Sequence, residues 1–194
     1  LIVLLVVGCE ETTLEQAVGE VEHEAKDCAG EIGKNVELWD VCYNIAETDT
    51  LNLDSSELTG EIPSEIITLV NLTYLSLSNN QLTSLPESIG DLSNLESINL
   101  SNNQLTSLPV SIGDLSSLRY LTLNNNQLTS LPESIGDLSN LEILGLRSNQ
   151  LTTLSESIGN LSSLEELRLH GNQLTTLPES IGNLTNLTII VLSS

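Results

Sequence analysis

Few side chains in this sequence are suited to acid–base, nucleophilic or metal chemistry. The 194 residues include two histidines, His23 and His170, which lie far apart in the chain, and three cysteines. No cysteine lies near a histidine in a motif typical of nucleophilic enzymes, no glycine-rich phosphate loop is present, and no cluster has the spacing of metal ligands. The sequence therefore predicts a protein that is not an enzyme and that holds no metal and no cofactor.

The charge balance is strongly acidic. The chain has 5 Lys and Arg residues and 27 Asp and Glu residues, which gives a formal net charge of −22. Such a chain repels phosphate backbones, so general nucleic-acid binding is excluded as a function class. Hydrophobic residues still make up 39% of the sequence, which argues against intrinsic disorder. Met is absent, even at position 1, so we expect a fragment or a processed form.

The first nine residues indicate export. Residues 1–7 are all aliphatic; they are too few to span a bilayer, which needs about 20 residues, but are typical of the end of a secretory signal. The segment VVGC that ends at Cys9 resembles the bacterial lipobox, and this resemblance implies that Cys9 carries a lipid. We therefore expect residues 1–9 to be a signal-peptide remnant with a lipobox. A signal without lipidation and a buried first strand are the alternatives.

Residues 10–49 are acidic and irregular, and we interpret them as an acidic tether followed by an N-terminal cap. Within this segment, residues 12–28 have apolar residues at helical spacing, so they form either a helix or part of the tether. The stretch 36–45 around Trp39 is dense in apolar residues. A repeat array needs such a cover over its first repeat, because stacking leaves one apolar end open.

Cys28 and Cys42 are the cysteines that remain once Cys9 is assigned to a lipid. In an exported protein they are candidates for a disulfide, which would close a loop of about 15 residues and contribute about 3 kcal/mol. Two reduced, buried thiols are the alternative.

Residues 50–194 contain a repeat with a period of 23 residues, in which leucine or isoleucine recurs in the pattern L-x-x-L-x-L. Alternate side chains of a strand point to opposite faces, so the L-x-L segment predicts one strand per repeat with its leucines inward. One strand cannot bury its apolar face alone, so we expect the strands to stack in parallel about 4.8 Å apart. Three residues after the last of these leucines we predict a buried ladder of side-chain amides, formed by Asn80, Asn103, Asn126, Asn149 and Asn172.

The full repeat reads L-x-x-L-x-L-x-x-N-x-L-T-x-L-P-x-x-I-G-x-L-x-x and resembles the leucine-rich repeat family over residues 50–194. The resemblance implies an α/β repeat: a curved, right-handed solenoid, or horseshoe, with a parallel concave β-sheet and short helical or irregular convex segments. We expect Pro86 and its equivalents to begin each convex segment and Gly90 and its equivalents to end it. An earlier copy at 51–71 resembles the plant-like subclass, with Ser56 in place of its asparagine. The last copy stops inside its strand, so we expect the repeat domain to be truncated at its C-terminus.

Function in such a scaffold depends on the residues that point outward from the concave strands. Three outward columns are expected to be exposed, and most of their members are small and polar. We predict that the larger or charged members bind a partner: Tyr74, Tyr120, Ile143, Arg147, Glu166, Arg168 and His170. Tyr and Arg are enriched at binding hot spots, and Arg can hold a carboxylate bidentately. The alternative is ordinary surface variation in which Glu166 neutralises Arg168 or Arg147 on adjacent strands.

These observations favour a non-catalytic recognition module, a monomer that binds a protein or a glycan through its concave face. The lipobox implies that it is exported and lipid-anchored at a bacterial cell envelope, on the outer membrane or the cell surface, or else secreted. A structural surface protein without a specific ligand is the first alternative. Ice binding by a regular threonine column is the remote one. The acidic residues of the convex side do not converge, so we expect a solvated face and no calcium site.

Overall fold

The computed structural model of the protein describes residues 34–192, so the predictions for 1–9, Cys9, Cys28 and the helix or tether at 12–28 lie outside the described residues. This range contains eleven strands: β1 Asn35–Leu38, β2 Val41–Asn44, β3 Thr50–Asn52, β4 Thr59–Glu61, β5 Tyr74–Ser76, β6 Gln81–Ser84, β7 Ser97–Asn99, β8 Tyr120–Thr122, β9 Ile143–Gly145, β10 Glu166–Arg168 and β11 Ile189–Val191. It also contains six 3₁₀ helices: η1 Ser64–Thr68, η2 Glu87–Asp91, η3 Val110–Asp114, η4 Glu133–Asp137, η5 Glu156–Asn160 and η6 Glu179–Asn183. None of the helices in this range is long and apolar enough to cross a membrane.

Seven of the strands form one parallel sheet in the order β3–β5–β7–β8–β9–β10–β11, so each repeat adds one strand beside that of the preceding repeat. The register advances by one repeat at each step, with Leu75 paired to Ile98 and Ile98 paired to Leu121. These three residues are at most 1% exposed, so the core lies directly behind the sheet. The predicted solenoid with a parallel sheet and inward leucines is confirmed.

The 3₁₀ helices form the other side of the solenoid, and each begins after a residue with an extended backbone. That residue is a proline in five helices, with φ between −56° and −68°, close to the value that the pyrrolidine ring fixes. Before η5 the residue is Ser155, whose hydroxyl accepts a hydrogen bond from the Ser157 N–H at 3.0 Å. Ser155 therefore begins its helix with a side-chain cap where the other repeats use the fixed φ of proline.

The repeat glycines do not end these convex segments, and this corrects the prediction from the sequence. The helix η3 runs through Gly113 and ends at Asp114. A Cβ atom on Gly113 would lie 2.4 Å from the carbonyl oxygen of Ser134 in the next repeat. Glycine is required here because adjacent convex segments approach each other more closely than any side chain permits.

Asn103 illustrates how consecutive repeats are joined. Its Nδ2 donates to the Leu77 carbonyl of the preceding repeat at 2.9 Å and to the Leu100 carbonyl of its own repeat at 3.1 Å. Its Oδ1 accepts a hydrogen bond from the Leu82 N–H at 3.0 Å. Equivalent contacts are made by Asn80, Asn126, Asn149 and Asn172. These amides satisfy backbone groups that leave the strands, which would otherwise be buried without partners.

The residue before each ladder asparagine lies in the left-handed region of φ. The angle is between 53° and 57° at Asn79, Asn102, Asn125 and Ser148, and 74° at Gly171. Asparagine and glycine tolerate this conformation better than other residues. The turn after each strand therefore explains why this column consists mostly of these two residue types.

A short hairpin precedes the first repeat, in the segment that the sequence identified as a cap. Strands β1 and β2 pair antiparallel, and their two-residue loop, Trp39 and Asp40, has φ values of 50° and 60°. Positive φ at both positions is typical of a type I′ hairpin turn. Val36 and Leu38 are buried in the same apolar core as the repeats. Cys42 is disulfide-bonded.

The ladder predicts a large cost for losing one amide. Asn126→Ala leaves the Leu105 N–H and the carbonyls of Leu100 and Leu123 without their side-chain partner. We expect the free energy of unfolding, measured by urea titration with circular dichroism, to fall by about 2–4 kcal/mol. Gln127→Ala, at an exposed position in the same turn, is the control and should change it by less than about 0.5 kcal/mol. Equal effects of the two substitutions would contradict this role of the ladder.

Candidate functional site

The concave face, which is the face of the seven-stranded sheet that points away from the core, brings together most of the predicted binding residues. Tyr120, Ile143 and Glu166 are neighbours at one register position of β8, β9 and β10. All three are half-buried. Tyr74 lies in β5 and is separated from β8 by β7, so it is not part of this cluster.

The other predicted residues lie further along the same strands. Arg168 ends β10, and Arg147 and His170 lie two residues after the ends of β9 and β10. Arg147 is exposed, whereas Arg168 and His170 are half-buried. The His170 Nδ1 atom is buried and has no hydrogen-bond partner among the described residues. Six of the seven predicted residues thus lie on or just after the three adjacent strands β8, β9 and β10. Their role in binding stays a prediction.

Several members of the outward columns are buried, contrary to the expectation that these columns are exposed. Ser76 and Ser78 are 0% and 6% exposed. Both donate to the Asp54 carboxylate, Ser76 through its hydroxyl at 2.6 Å and Ser78 through its N–H at 2.7 Å. Gly145 in β9 is buried because neighbouring side chains cover it. Side chains of one repeat therefore cover the small residues of the next.

An ion pair at the beginning of the strands was missed in the sequence. Arg119 donates from Nε and Nη2 to Glu142 Oε1 at 2.9 and 2.7 Å. The Tyr120 hydroxyl donates to Glu142 Oε2 at 3.0 Å, and the Arg119 guanidinium lies 5.2 Å from the centre of the Tyr120 ring. The hydrogen bond from Arg119 lowers the pKa of Glu142. The hydrogen bond to Glu142 raises the pKa of Tyr120.

The in-register sheet could have revealed this pair. Arg119 and Glu142 are 23 residues apart, one repeat period, and each immediately precedes its strand. Residues one period apart lie side by side on parallel strands, where opposite charges attract. The three predicted outward columns do not include the position just before each strand, which is occupied by Arg119 and Glu142.

A second ion pair joins Arg168 to Glu166. The guanidinium donates from Nε and Nη2 to the two carboxylate oxygens at 2.7 and 3.0 Å. Arg168 is one of the two partners expected for Glu166, but the two residues lie in one strand, two positions apart, and not on adjacent strands. The hydrogen bond to Glu166 raises the pKa of Arg168. Both pairs are partly exposed, so solvent screens them and each contributes little to stability.

Arg147 differs from the other two arginines. Within residues 34–192 no hydrogen bond or ion pair is formed by its guanidinium. Its backbone N–H donates to Asn124 Oδ1 on the adjacent repeat at 2.9 Å. Of the three arginines in residues 34–192, two are therefore neutralised by glutamates and Arg147 has an open guanidinium. No group of three or more potential metal-binding side chains occurs in the described part of the chain.

The Tyr120–Glu142 hydrogen bond predicts a titration that can be followed. Because that bond stabilises the protonated phenol, Tyr120 should deprotonate above the ordinary value of about 10. Glu142→Ala should move the Tyr120 pKa downward, measured by NMR of ¹³Cζ-labelled tyrosine between pH 8 and 12. Glu133→Ala on the convex side is the control and should leave the value unchanged. An unaltered titration in Glu142→Ala would show that the contact is not formed in solution.

Comparisons with known proteins agree with this architecture. The family model described as leucine-rich repeat region matches residues 111–194, and the model described as leucine rich repeat matches residues 46–105 and 70–128. No curated protein matches the chain.

Similar solved structures come from bacteria and from a plant. A leucine-rich repeat protein of Leptospira interrogans is 42% identical with a TM-score of 0.54, over 70% of this chain and 40% of that one. An internalin of Listeria monocytogenes is 32% identical with a TM-score of 0.63, over 75% and 41%. The Arabidopsis receptor kinase HAESA, in complex with a peptide hormone and a co-receptor, is 34% identical with a TM-score of 0.68, over 76% and 26%.

The chain thus spans less than half the length of each of these proteins. The agreement nevertheless covers both the repeat pattern and the three-dimensional arrangement of strands and convex segments. Residues 46–194 therefore consist of leucine-rich repeats, and the protein folds as a leucine-rich repeat solenoid.

Proposed function

We propose that this protein is a non-catalytic recognition module that binds a protein partner through the concave face. Leucine-rich repeat domains typically mediate protein–protein recognition, and the similar plant receptor kinase was solved with a peptide hormone and a co-receptor. The observation that carries the proposal is the cluster on β8, β9 and β10, which combines half-buried Tyr120 and Ile143 with charged groups on adjacent strands.

The neighbouring strand β7 shows how local this cluster is. The position occupied by Tyr120 and Ile143 in β8 and β9 is occupied by Ser97 in β7. A serine offers little apolar area, whereas Tyr and Ile supply area that becomes buried when a partner binds. The Tyr120 hydroxyl is held by Glu142 before any partner arrives, so less side-chain entropy is lost on binding.

Capture from bacterial surface extracts tests the proposal. The double substitution Tyr120→Ser/Ile143→Ser gives β8 and β9 the serine of β7 and should weaken capture by about 30-fold or more, the effect of losing a hot spot. Val110→Ser is the matched control because Val110 is an apolar residue of the convex side that is 69% exposed. The control should capture the partner as wild type does.

A protein captured equally by wild type and both variants would contradict recognition through the concave face. Absence of specific capture by wild type would favour a structural surface protein. Capture of a glycan in place of a protein would change the partner class.

We further propose that the module acts at a bacterial cell envelope, anchored through a lipid on Cys9. The lipobox-like segment that ends at Cys9 supports this location, and two of the similar structures are bacterial proteins. When the protein is expressed in bacteria with a complete signal, Cys9→Ser should move it from the membrane fraction to the soluble fraction. Unchanged membrane recovery of Cys9→Ser would contradict lipid anchoring.

A further inference from the structure

The charge distribution of the concave face leaves one cation without an anion. The protein has a formal net charge of −22, yet Arg147 forms no ion pair in the described part of the chain. Glu166 on the neighbouring strand β10 is engaged by Arg168, and Glu142, which precedes β9, is engaged by Arg119. An exposed guanidinium that its own chain does not neutralise is available to an anion of a partner.

The side-chain amide of Asn124 contacts the Arg147 backbone and offers a second donor. Its Oδ1 accepts the Arg147 backbone N–H at 2.9 Å. Its Nδ2 makes no hydrogen bond among the residues that the structure describes. The amide is therefore fixed through its oxygen, and its N–H groups remain free to donate.

An earlier repeat shows the same contact with a different side chain. Asp54 Oδ1 accepts the Ser78 N–H at 2.7 Å, at the position equivalent to Asn124 and Arg147. An aspartate can thus make this backbone contact within the fold. At position 124 the contact is made by an asparagine, which keeps the acceptor but carries N–H donors where aspartate carries a second anionic oxygen.

Gly145 provides the space for Asn124. A Cβ atom on Gly145 would lie 3.1 Å from Asn124 Oδ1 and 3.3 Å from Asn124 Nδ2. A side chain at this position of β9 would press on the amide, which would have to shift by a few tenths of an ångström. The glycine, the asparagine and the arginine therefore form one arrangement at the point where β8 and β9 end.

We propose that the Arg147 guanidinium and the Asn124 amide nitrogen form a binding site for a single carboxylate of the protein partner. The inference rests on the proposed function, since it names the chemical group of the partner that the concave face recognises. The carboxylate belongs to an Asp or Glu side chain or to the C-terminus of the partner polypeptide, which present the same two oxygens.

A carboxylate fits this site better than a phosphate. One guanidinium balances one negative charge, whereas a phosphate group carries between one and two at neutral pH. The surrounding protein is strongly acidic and would repel the remainder. The neighbouring cations Arg119 and Arg168 are bound to glutamates and do not supply a second free charge.

The test uses the 194-residue chain, ¹⁵N-labelled, with small probes in place of the unidentified partner. The probes are N-acetylglutamate α-methylamide, N-acetylleucine, the neutral N-acetylglutamine α-methylamide and inorganic phosphate. The NMR signals of the Arg147 Nε–Hε group and the Asn124 side-chain amide are followed. We expect both signals to shift with a carboxylate probe and not with the neutral probe. The tighter of the two carboxylate probes then identifies an acidic side chain or a C-terminus as the source.

Two variants test the residues separately. Arg147→Gln should abolish the shift of the Asn124 amide. Asn124→Asp keeps the backbone contact but places a carboxylate beside the guanidinium, so it should weaken binding of the carboxylate probe by about tenfold or more. Asn99→Asp adds the same charge on β7 and is the matched control, with an expected change of less than about twofold. Thermal unfolding of each variant shows that the fold is kept.

The inference is overturned if neither carboxylate moves the Arg147 signal more than those of Arg119 and Arg168, or if phosphate binds more tightly than both. Binding by Asn124→Asp equal to wild type would overturn the role of Asn124. Because the titration needs no natural partner, its failure removes the carboxylate site alone. Failure of the capture experiment instead removes recognition through the concave face.

Discussion

Each repeat forms one coil of the solenoid. The coils bury their leucines against one another, and the rest of the structure depends on this stacking. A coil contributes a strand of three residues and a five-residue 3₁₀ helix, neither of which is stable alone. Apart from Val36 of the first hairpin, the buried core of residues 34–192 is built from Leu and Ile, so its packing comes from repetition of similar shapes. Stability in such an array is close to a sum over coils and the contacts between neighbours.

Stacking also fixes the distance between coils on both sides of the solenoid. On the sheet side the spacing is set by backbone hydrogen bonds and by the amide ladder, as in the bridge from Asn103 to Leu77 and Leu100. On the convex side it is set by the close approach at Gly113, where the next coil leaves no room for a Cβ atom. Residues one period apart therefore contact each other in the same way in every coil. Where the residue type changes at such a position, the surface of the solenoid changes.

The concave face uses this regularity to place charges. Arg119 and Glu142 meet because they occupy the same position in adjacent coils. Arg168 and Glu166 meet because alternate residues of one strand share a face. Arg147 follows its strand at a position where the neighbours are Asn124 and His170, and neither supplies an anion. Despite the strong excess of acids in the protein, no carboxylate pairs with Arg147 among residues 34–192.

The solenoid could be predicted from the sequence because the information that specifies it is periodic. The leucine columns indicate the strands and the core, the asparagine column indicates the ladder, and the prolines mark the start of each convex segment. The period did not predict why position 113 requires glycine. The sequence shows that glycine recurs there, but not that the Ser134 carbonyl oxygen of the next repeat lies against it.

For the concave face, the sequence identified the cluster around Tyr120, Ile143 and Arg147. The three-dimensional structure was needed to show which charges are paired, that Ser76 and Gly145 are covered, and that Arg147 is open. Side-chain pairing depends on distances and directions between coils, and a column of residue types does not contain them.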